Sequence, residues 1–256
     1  MDTGSSRAAP SSSVRGRAAA WLRRAPRPGF FDQYPRFLSV TATPGRLNER
    51  YRALISQNQE MIHDRTILDL AAHDGRWSIA ALKTGARHVT GIEGRSHLVD
   101  SAIVAAGEYG IAAERYRFIV GDVFDQIDLV QTGSIDTVFC FGFFYHTPHH
   151  LLLLSKIARL SPRHLILDTE IETTTECIVR FYKEEIGRDT HSIVGLPADP
   201  IQALCGRPSR SALEMMLSGF GWTFSYYDWH SAGVTDWHDL RDYKDGKRVS
   251  ITATRG

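Results

Sequence analysis

The sequence predicts an α/β protein with a doubly wound, seven-stranded, mostly parallel sheet whose last strand is antiparallel. Three observations lead to this fold class. An apolar run, residues 67–70, is followed by small and polar residues and then by a helix that begins near Trp77; a strand, a tight turn and a helix in that order form the nucleotide-binding corner of such sheets. Strand-like and helix-like segments then alternate up to residue 171. Two strand-like segments near the C-terminus are separated by a polar loop, as in a hairpin.

The individual elements follow from apolar periodicity and from residues that begin or end helices. Gly85 and Gly110 end the first two helices after the corner. Thr147 is predicted as an N-cap, with Pro148 in the first helical position. The predicted strands are residues 66–70, 88–92, 116–120, 135–141, 164–171, 222–228 and 248–254, and the predicted helices are residues 46–63, 76–84, 96–109, 125–129, 148–160 and 209–219.

Length and composition limit the class of protein. A chain of 256 residues is one α/β domain with appendages or at most two small domains. The net charge of +1 gives no overall attraction to nucleic acid or to an anionic membrane. No apolar run reaches the roughly 20 residues that span a bilayer, so no membrane partner is expected. Three widely separated cysteines form neither a CxxC pair nor a disulfide framework, which favours a reducing, cytoplasmic location. The oligomeric state is left open.

Three regions can be distinguished along the chain. Residues 1–28, rich in Ser, Ala, Arg and Pro, are predicted to be a disordered basic tail, although their arginines also fit an organellar transit peptide or an RNA contact. Residues 29–64 begin with an aromatic segment that is expected to pack on the domain, followed by a helix that either covers the ligand crevice as a lid or packs on a sheet edge. Residues 65–256 form the main domain, in which the irregular insertion 172–208 is predicted to roof a substrate site.

Polar residues stand where three successive predicted strands end. The first strand runs into the loop of residues 69–75, Glu93 closes the second, and Gly121, Asp122 and Val123 follow the third. Because ligands bind at the carboxyl edge of an open parallel sheet, these residues are expected to meet at one site.

This order of signals, over about residues 65–254, resembles the class I S-adenosylmethionine-dependent methyltransferases. The resemblance implies a Rossmann-like methyltransferase domain over residues 65–256, with S-adenosyl-L-methionine as its cofactor. In that family the loop after the first strand binds the amino acid part of the cofactor, and an acidic residue after the second strand binds both ribose hydroxyls. An acidic residue after the third strand accepts from the adenine amino group, and the end of the fourth faces the methyl group. The residues that the resemblance assigns to the cofactor are Asp69, Ala71, His73, Gly75, Glu93, Asp122, Val123 and Phe141.

The first loop departs from the family pattern. The family usually has glycine at the positions of Ala71, His73 and Gly75, and only Gly75 remains. The bulky His73 either contacts the cofactor carboxylate, caps the following helix, or turns to the surface. The same departure disfavours a dinucleotide dehydrogenase, because Ala71, His73 and Arg76 replace the three glycines of GxGxxG.

The segment after the fourth strand carries the candidate catalytic residues. Methyl transfer needs alignment of the acceptor and sometimes removal of a proton. His146 is predicted as the base and Tyr145 as a residue that orients the substrate; the alternative is that both only shape the crevice or cap the next helix. Residues 142–148 and 165–170 also resemble the tRNA wobble-uridine carboxymethyltransferase branch. Thr147 stands where that branch has a basic residue, so ordinary S-adenosylmethionine remains the expected cofactor.

Charged residues near and within the insertion are weaker candidates. Glu170 and Glu172 could hold a substrate amine or hydroxyl, and Arg180, Tyr182 and Lys183 could bind an anionic substrate, but solvated faces are the favoured interpretation for both sets. Cys140 lacks the Pro-Cys arrangement expected of cytosine-C5 methyltransferases, and the Pro-Pro-Tyr motif of adenine-N6 methyltransferases is absent from the sequence. Both absences disfavour a DNA methyltransferase. No His, Cys or Asp cluster has zinc spacing, so no metal is predicted.

The sequence therefore predicts an S-adenosylmethionine-dependent methyltransferase that modifies an oxygen or nitrogen of a small molecule. One alternative is a tRNA- or RNA-modifying methyltransferase or carboxymethyltransferase, suggested by the Tyr-His segment and the basic tail. Another is a non-catalytic module of the same fold, suggested by the altered glycine loop. The methyl acceptor itself has no motif in the sequence.

Overall fold

A seven-stranded sheet forms the centre of the protein. The structure, a computed structural model, describes Met1, residues 29–40 and residues 43–255. The strand order is β3-β2-β1-β4-β5-β9-β8, and a separate two-stranded sheet contains β6 and β7. The strands are β1 (Thr66–Leu70), β2 (His88–Glu93), β3 (Tyr116–Val120), β4 (Thr137–Phe141), β5 (His164–Glu170), β6 (Val179–Glu185), β7 (Gln202–Pro208), β8 (Thr223–Tyr226) and β9 (Arg248–Thr254).

Helices connect the strands and cover the sheet. They are α1 (Pro35–Ser39), α2 (Pro44–Leu54), α3 (Arg76–Lys83), α4 (Ser96–Glu108), α5 (Val123–Gln126), α6 (His150–Arg159), α7 (Arg210–Gly219) and α8 (Arg241–Lys244). Among the described residues, no helix combines the length and the apolar character that crossing a membrane requires.

The strand pairing confirms the predicted fold class. β1 pairs in parallel with both β2 and β4, so the strand order reverses on either side of β1. β9 runs antiparallel to β5, from His164 opposite Thr254 to Glu170 opposite Arg248. Every residue of β4 is buried, as expected for a central strand covered on both faces. The carboxyl ends of β1, β2, β3 and β4 therefore lie along one edge.

The N-terminal aromatic segment belongs to the core, as predicted. Phe31 and Phe37 are fully buried in the hydrophobic cluster on one face of the sheet. The ring of Phe31 packs edge-on against Trp77 of α3, with 5.5 Å between ring centroids. Aromatic contacts of this kind stabilise a core beyond the area that they bury. Residues 29–40 are therefore an integral layer of the domain.

Two predicted helix boundaries are wrong. The predicted helix 46–63 ends at Leu54 and continues as a 3-10 helix, Ser56–Met61, because the Asn58 amide donates to the carbonyl oxygens of Ala53 and Leu54. These contacts satisfy carbonyl groups that a helix end leaves free. Thr147 is not the N-cap of α6, which begins at His150; Thr147 is extended because the residue before a proline avoids the helical region.

The insertion 172–208 is more regular than expected. β6 and β7 form an antiparallel hairpin in which Val179 lies opposite Pro208 and Glu185 opposite Gln202. Residues 186–201 connect the two strands, and Arg95 donates to three of their carbonyl oxygens, those of Ile186, Arg188 and His191. Because Arg95 follows β2, these hydrogen bonds hold the hairpin loop over the carboxyl edge of the sheet.

Candidate active site

The loop between β1 and α3 keeps a glycine-like backbone without the glycines. Ala71 has φ +55°, His73 +53° and Gly75 +76°. The left-handed region costs an L-residue about 1–2 kcal/mol, so Ala71 and His73 hold a conformation that glycine would adopt freely. The altered sequence therefore adopts left-handed backbone at the three positions where the resembling family usually has glycine.

Gly75 is required by close packing as well as by its conformation. A Cβ at this position would lie 2.7 Å from Cβ of Ala102 in α4 and 3.1 Å from Cζ of Phe118 in β3. The first distance is shorter than real Cβ contacts and the second is tighter than most of them, so glycine lets α3 start this close to its neighbours. Gly75 thus positions the loop and the first turn of α3.

Asp69 lies beneath the loop. Its side chain is 1% exposed and accepts a 2.6 Å hydrogen bond from Oγ of Ser78 in α3. Burial raises the pKa of Asp69 to about 7; the hydrogen bond from Ser78 opposes this shift and the neighbouring charge of Glu93 adds to it. Asp69 and Gly75 do not line the large cavity at this edge. The structure places both in the frame of the loop.

Glu93 has one hydrogen bond on each carboxylate oxygen. Oε2 accepts from the backbone N–H of His73 at 3.0 Å, and Oε1 accepts from the backbone N–H of Arg95 at 3.0 Å. A carboxylate oxygen has further lone pairs, so both oxygens can still accept from a ligand. The backbone of the altered loop thus holds Glu93 in the orientation that a vicinal diol needs.

Asp122 is both a helix cap and a free acceptor. Its Oδ1 accepts from the backbone N–H of Phe124 at 2.7 Å, which caps α5. Within the described part of the chain, no residue donates to its Oδ2. This oxygen is available for an amino group such as that of adenine.

One cavity of about 1240 Å³ joins these residues to the segment after β4. Its wall at the β1–β3 end contains acidic and apolar groups, which suits a cationic ligand with a diol, an amino group and a flat base. Arg46 and Arg50 of α2 and residues 189–197 of the hairpin loop form other parts of the wall. The predicted site residues that line the cavity are Ala71, His73, Glu93, Asp122, Val123, Phe141, Tyr145 and His146.

His73 contacts the neighbouring carboxylate. Its Nδ1 lies 3.5 Å from Oδ1 of Asp74, and its side chain is 30% exposed. Asp74 is held more firmly by Arg76, whose Nη2 donates at 2.6 Å. Burial opposes ionisation of Asp74, yet the close contact with His73 and the hydrogen bonds from Arg76 lower its pKa far below the ordinary value. The His73 ring thus turns aside, and its backbone N–H faces Glu93.

At the other end of the cavity, His146 forms a pair with Glu184 of β6. His146 Nδ1 donates to the Glu184 carboxylate at 2.7 and 2.9 Å, and the side chains are 11% and 8% exposed. Burial opposes ionisation of Glu184, but the hydrogen bonds from His146 and from the Ser192 backbone N–H outweigh it and lower the pKa of Glu184. The ring of Tyr145 packs on His146 with centroids 4.1 Å apart. His146 is therefore fixed in orientation, with Nε2 as its remaining nitrogen.

Cys205 of β7 completes a buried trio with this pair. A ring nitrogen of His146, a carboxylate oxygen of Glu184 and the sulfur of Cys205 all lie within 4.8 Å of one another. The Cys205 thiol also donates to the backbone oxygen of His146 at 3.5 Å, and burial raises the pKa of Cys205 well above its ordinary value. Hydrogen bonds and a protonated thiol hold the trio together. Sequence spacing could not indicate it, since the three residues come from separate segments.

Asp168 organises the wall beside Tyr145. This fully buried carboxylate of β5 accepts from Arg248 Nε at 2.7 Å and from Arg50 Nη2 at 3.0 Å. Tyr243 Oη and Ser250 Oγ donate to its other oxygen, each at 2.8 Å. Burial opposes its ionisation, but the two arginines and these hydrogen bonds lower the pKa of Asp168 far below the ordinary value. None of this cluster was predicted from the sequence.

The other charged candidates are engaged elsewhere. Glu170 accepts from Arg207 at 2.7 Å, and Glu172 pairs with Arg180 at 3.0 Å. Lys183 lies 3.5 Å from Asp199 and is 57% exposed. Tyr182 donates to the backbone oxygen of Tyr145 at 3.1 Å. Their roles are to stabilise the hairpin and its contact with the segment after β4.

Comparison with known proteins finds a similarity over part of the chain. Residues 67–162, from β1 to the turn after α6, match a family model described as a methyltransferase domain. This segment is therefore similar to methyltransferase domains, and the cavity wall described above fits S-adenosylmethionine, the cofactor that the resemblance implies. The comparisons do not confirm the tRNA wobble-uridine branch, which remains a prediction.

Solved structures share the fold of this chain. The N-terminal domain of EvdMO1, solved in the presence of SAH and D-fucose, aligns with a TM-score of 0.56 and 17% identity over 83% of this chain and 82% of that domain. Magnesium protoporphyrin IX methyltransferase (ChlM) from Synechocystis PCC 6803, with bound SAM, aligns with a TM-score of 0.52 and 16% identity over 83% of this chain and 79% of that chain. YcgJ from Bacillus subtilis aligns with a TM-score of 0.54 and 13% identity over 81% of this chain and 98% of that chain. Comparison with curated protein sequences gave no match.

Proposed function

We propose that this protein is a methyltransferase that transfers the methyl group of S-adenosylmethionine to an oxygen or nitrogen of a small molecule. The observation that carries the proposal is the single roofed cavity that runs from Glu93 to the His146–Glu184 pair. Its volume of about 1240 Å³ exceeds the roughly 300–1,000 Å³ typical of a site for one small ligand. The cavity thus has room for the cofactor and an acceptor side by side.

The cofactor residues divide by chemistry. Glu93 accepts from the two ribose hydroxyls, and Oδ2 of Asp122 accepts from the adenine amino group. Val123 and Phe141 supply apolar contacts, since both line the cavity while remaining largely buried. When bound, S-adenosylmethionine supplies a methyl group activated by the adjacent sulfonium. The carboxylates also favour a cationic cofactor electrostatically.

His146 acts as the base in this proposal. Because its Nδ1 donates to Glu184, Nε2 is the nitrogen that takes a proton from the acceptor hydroxyl or amine. The ionised Glu184 stabilises the imidazolium that results, as a carboxylate does for a catalytic histidine in other enzymes. Tyr145 packs on the ring and limits its rotation. Removal of the proton raises the nucleophilicity of the acceptor atom as it approaches the methyl group.

The hairpin favours a small acceptor. Residues 189–197 cover the cavity and are tied to the domain through Arg95. The structures of EvdMO1 and ChlM support the same choice, since D-fucose and magnesium protoporphyrin IX, named in their descriptions, are small molecules. The basic tail behind the RNA alternative lies, apart from Met1, outside the described residues.

An acceptor survey tests the proposal. The purified chain is incubated with S-adenosylmethionine and a panel of small alcohols, phenols, carboxylic acids and amines, and formation of S-adenosylhomocysteine is measured. A parallel reaction contains unmodified tRNA, and both are repeated with residues 1–28 deleted. Turnover with a small molecule that survives the deletion supports the proposal. Turnover with tRNA alone would overturn it in favour of the RNA alternative.

A further inference from the structure

Two arginines share one carboxylate at the acceptor end of the cavity. Arg248 and Arg50 both donate to Oδ1 of Asp168, and the side chain of Arg248 is 6% exposed. The other oxygen of Asp168 is taken by two hydroxyl groups. The carboxylate is therefore saturated, and it cannot satisfy the remaining N–H groups of either arginine.

The free N–H groups of these arginines belong to the cavity wall. Among the described residues, none accepts from Nη2 of Arg248. Its Nη1 has only long contacts, at 3.5 Å to Tyr145 Oη and 3.6 Å to Glu170 Oε1. Arg50 Nε is buried without a hydrogen-bond partner. Both side chains line the cavity. Buried donors left unpaired are costly, so this wall favours a ligand that accepts hydrogen bonds.

The carboxylates near these arginines are already engaged. Arg46 pairs with Asp242, Arg207 pairs with Glu170, and Glu184 accepts from His146. Among the described residues, Glu170 makes only the long contact to Arg248, and no other carboxylate is left for the remaining N–H groups of Arg248 and Arg50. The side chains of these two arginines are 6% and 15% exposed, and at such low exposure their interaction with an anion is strong.

The position of the Arg248 guanidinium links it to the reacting end of the site. A Cβ on Gly142 would lie 3.2 Å from Nη2 of Arg248, so the loop after β4 passes directly beside this nitrogen. The guanidinium carbon lies 5.3 Å from the ring centroid of Tyr145, and Tyr145 packs on His146. A ligand group on Arg248 would therefore be a close neighbour of the proposed base.

We infer that the methyl acceptor carries a carboxylate or phosphate group, which binds to Arg248 and Arg50 beside Tyr145. A guanidinium presents paired N–H groups that match the two oxygens of such an anion. Binding there satisfies the unpaired N–H groups and holds the acceptor while His146 takes its proton. The inference rests on the proposed function and assigns its substrate class.

Thermal unfolding with small anions tests this site. The full chain is saturated with S-adenosylhomocysteine at fixed ionic strength. It is then unfolded by heating in the presence of benzoate, phenyl phosphate or neutral benzamide, each at high concentration. At least one anion is expected to raise the Tm by ~2 °C or more, and benzamide to leave it unchanged. Equal stabilisation by benzamide, or none by either anion, would overturn the inference.

Variants locate the effect. Arg248→Gln and, separately, Arg50→Gln should each abolish the anion-dependent shift, whereas the exposed Arg180→Gln, outside the cavity wall, should keep it. If the anion raises the Tm of both Arg248→Gln and Arg50→Gln as much as it raises that of the wild type, the inference is contradicted. Calorimetry with S-adenosylhomocysteine is run on every protein: retained binding shows a folded cofactor site, so that loss of anion protection refers to the arginines. Absence of that binding in the wild type would instead overturn the proposed function, and the inference with it.

Discussion

His146 Nδ1 lies 2.7 Å from Oε1 of Glu184, and this contact joins the insertion to the catalytic edge of the sheet. His146 follows β4, whereas Glu184 lies on the hairpin strand β6. The insertion therefore does more than cover the cavity, because it supplies the carboxylate that orients the proposed base.

Replacing Glu184 by Gln should slow catalysis with little change in acceptor binding. The amide can still accept a hydrogen bond from His146, but it lacks the negative charge that stabilises the imidazolium. We expect kcat to fall by ~10–100-fold, less than the ~100–10,000-fold that loss of a general base itself causes, and KM to change by less than ~3-fold. Steady-state formation of S-adenosylhomocysteine, measured with the acceptor found in the survey, gives both constants.

The neighbouring Glu185 provides the matched control. It is exposed on the same strand, so Glu185→Gln should retain wild-type kcat. If Glu184→Gln and Glu185→Gln have the same kcat, Glu184 has no part in proton transfer.

Ala71→Gly should stabilise the protein. Ala71 has φ +55°, and relief of this strain should outweigh the greater flexibility of glycine in the unfolded chain, with a net gain of ~0.5–1 kcal/mol in the free energy of unfolding. Urea unfolding followed by circular dichroism measures the change. The buried Ala72, next in the chain, is not in the left-handed region, so Ala72→Gly should lower stability. A loss of stability in Ala71→Gly equal to that in Ala72→Gly would contradict the observed loop conformation.

Asp69→Asn should alter the pH dependence of stability. Because burial raises the pKa of Asp69 to about 7, the native state keeps a proton that the unfolded state releases above its ordinary pKa of about 4. The contribution of Asp69 to the free energy of unfolding therefore falls as pH rises from about 4 to 7, and it stays low above pH 7. Asparagine has no such proton. The free energy of unfolding of the variant, relative to that of the wild type, should therefore rise by ~2 kcal/mol between pH 5 and pH 7.

The difference between the two proteins isolates this group. Burial lowers the pKa of His150 and His164, and these residues affect both proteins equally in the same pH range. The stabilising effects of Asp74 and Asp168, whose pKa values are lowered, are lost only as pH falls below about 4. Denaturant unfolding at several pH values, with the exposed Asp100→Asn as control, checks the expectation. A difference that does not vary from pH 5 to pH 7 would contradict it.

The sequence placed Glu93 and Asp122 at one edge of the sheet because their positions depend on local order. Glu93 is the last residue of β2 and Asp122 comes two residues after β3 ends, and parallel strands of a doubly wound sheet place their carboxyl ends together. The left-handed backbone at His73 was not predictable, since the residue disfavours it; contact between its N–H and Glu93 stabilises it in the folded chain.

The acceptor end depends on long-range pairing. Asp168 meets Ser250 because β5 and β9 pair antiparallel with these two residues opposite each other, and the same pairing brings Arg248 to the cavity. Glu184 arrives on a hairpin whose strands were not predicted. Tyr182 and Glu184 lie on the more buried face of this strand. Val179, Phe181 and Tyr182 are residue types that favour strands, and this was the signal that could have indicated it.

Binding of S-adenosylhomocysteine, measured by isothermal titration calorimetry, tests the central claim most directly. The wild-type chain should bind one molecule per chain. Glu93→Ala should bind ~10–100-fold more weakly, because it removes charged hydrogen bonds worth about 1.5–3 kcal/mol, whereas the exposed Glu108→Ala should bind like the wild type. Circular dichroism confirms that each protein is folded. A folded wild type that binds no S-adenosylhomocysteine, or a Glu93→Ala variant with unchanged affinity, would contradict the account of the cavity as the cofactor site.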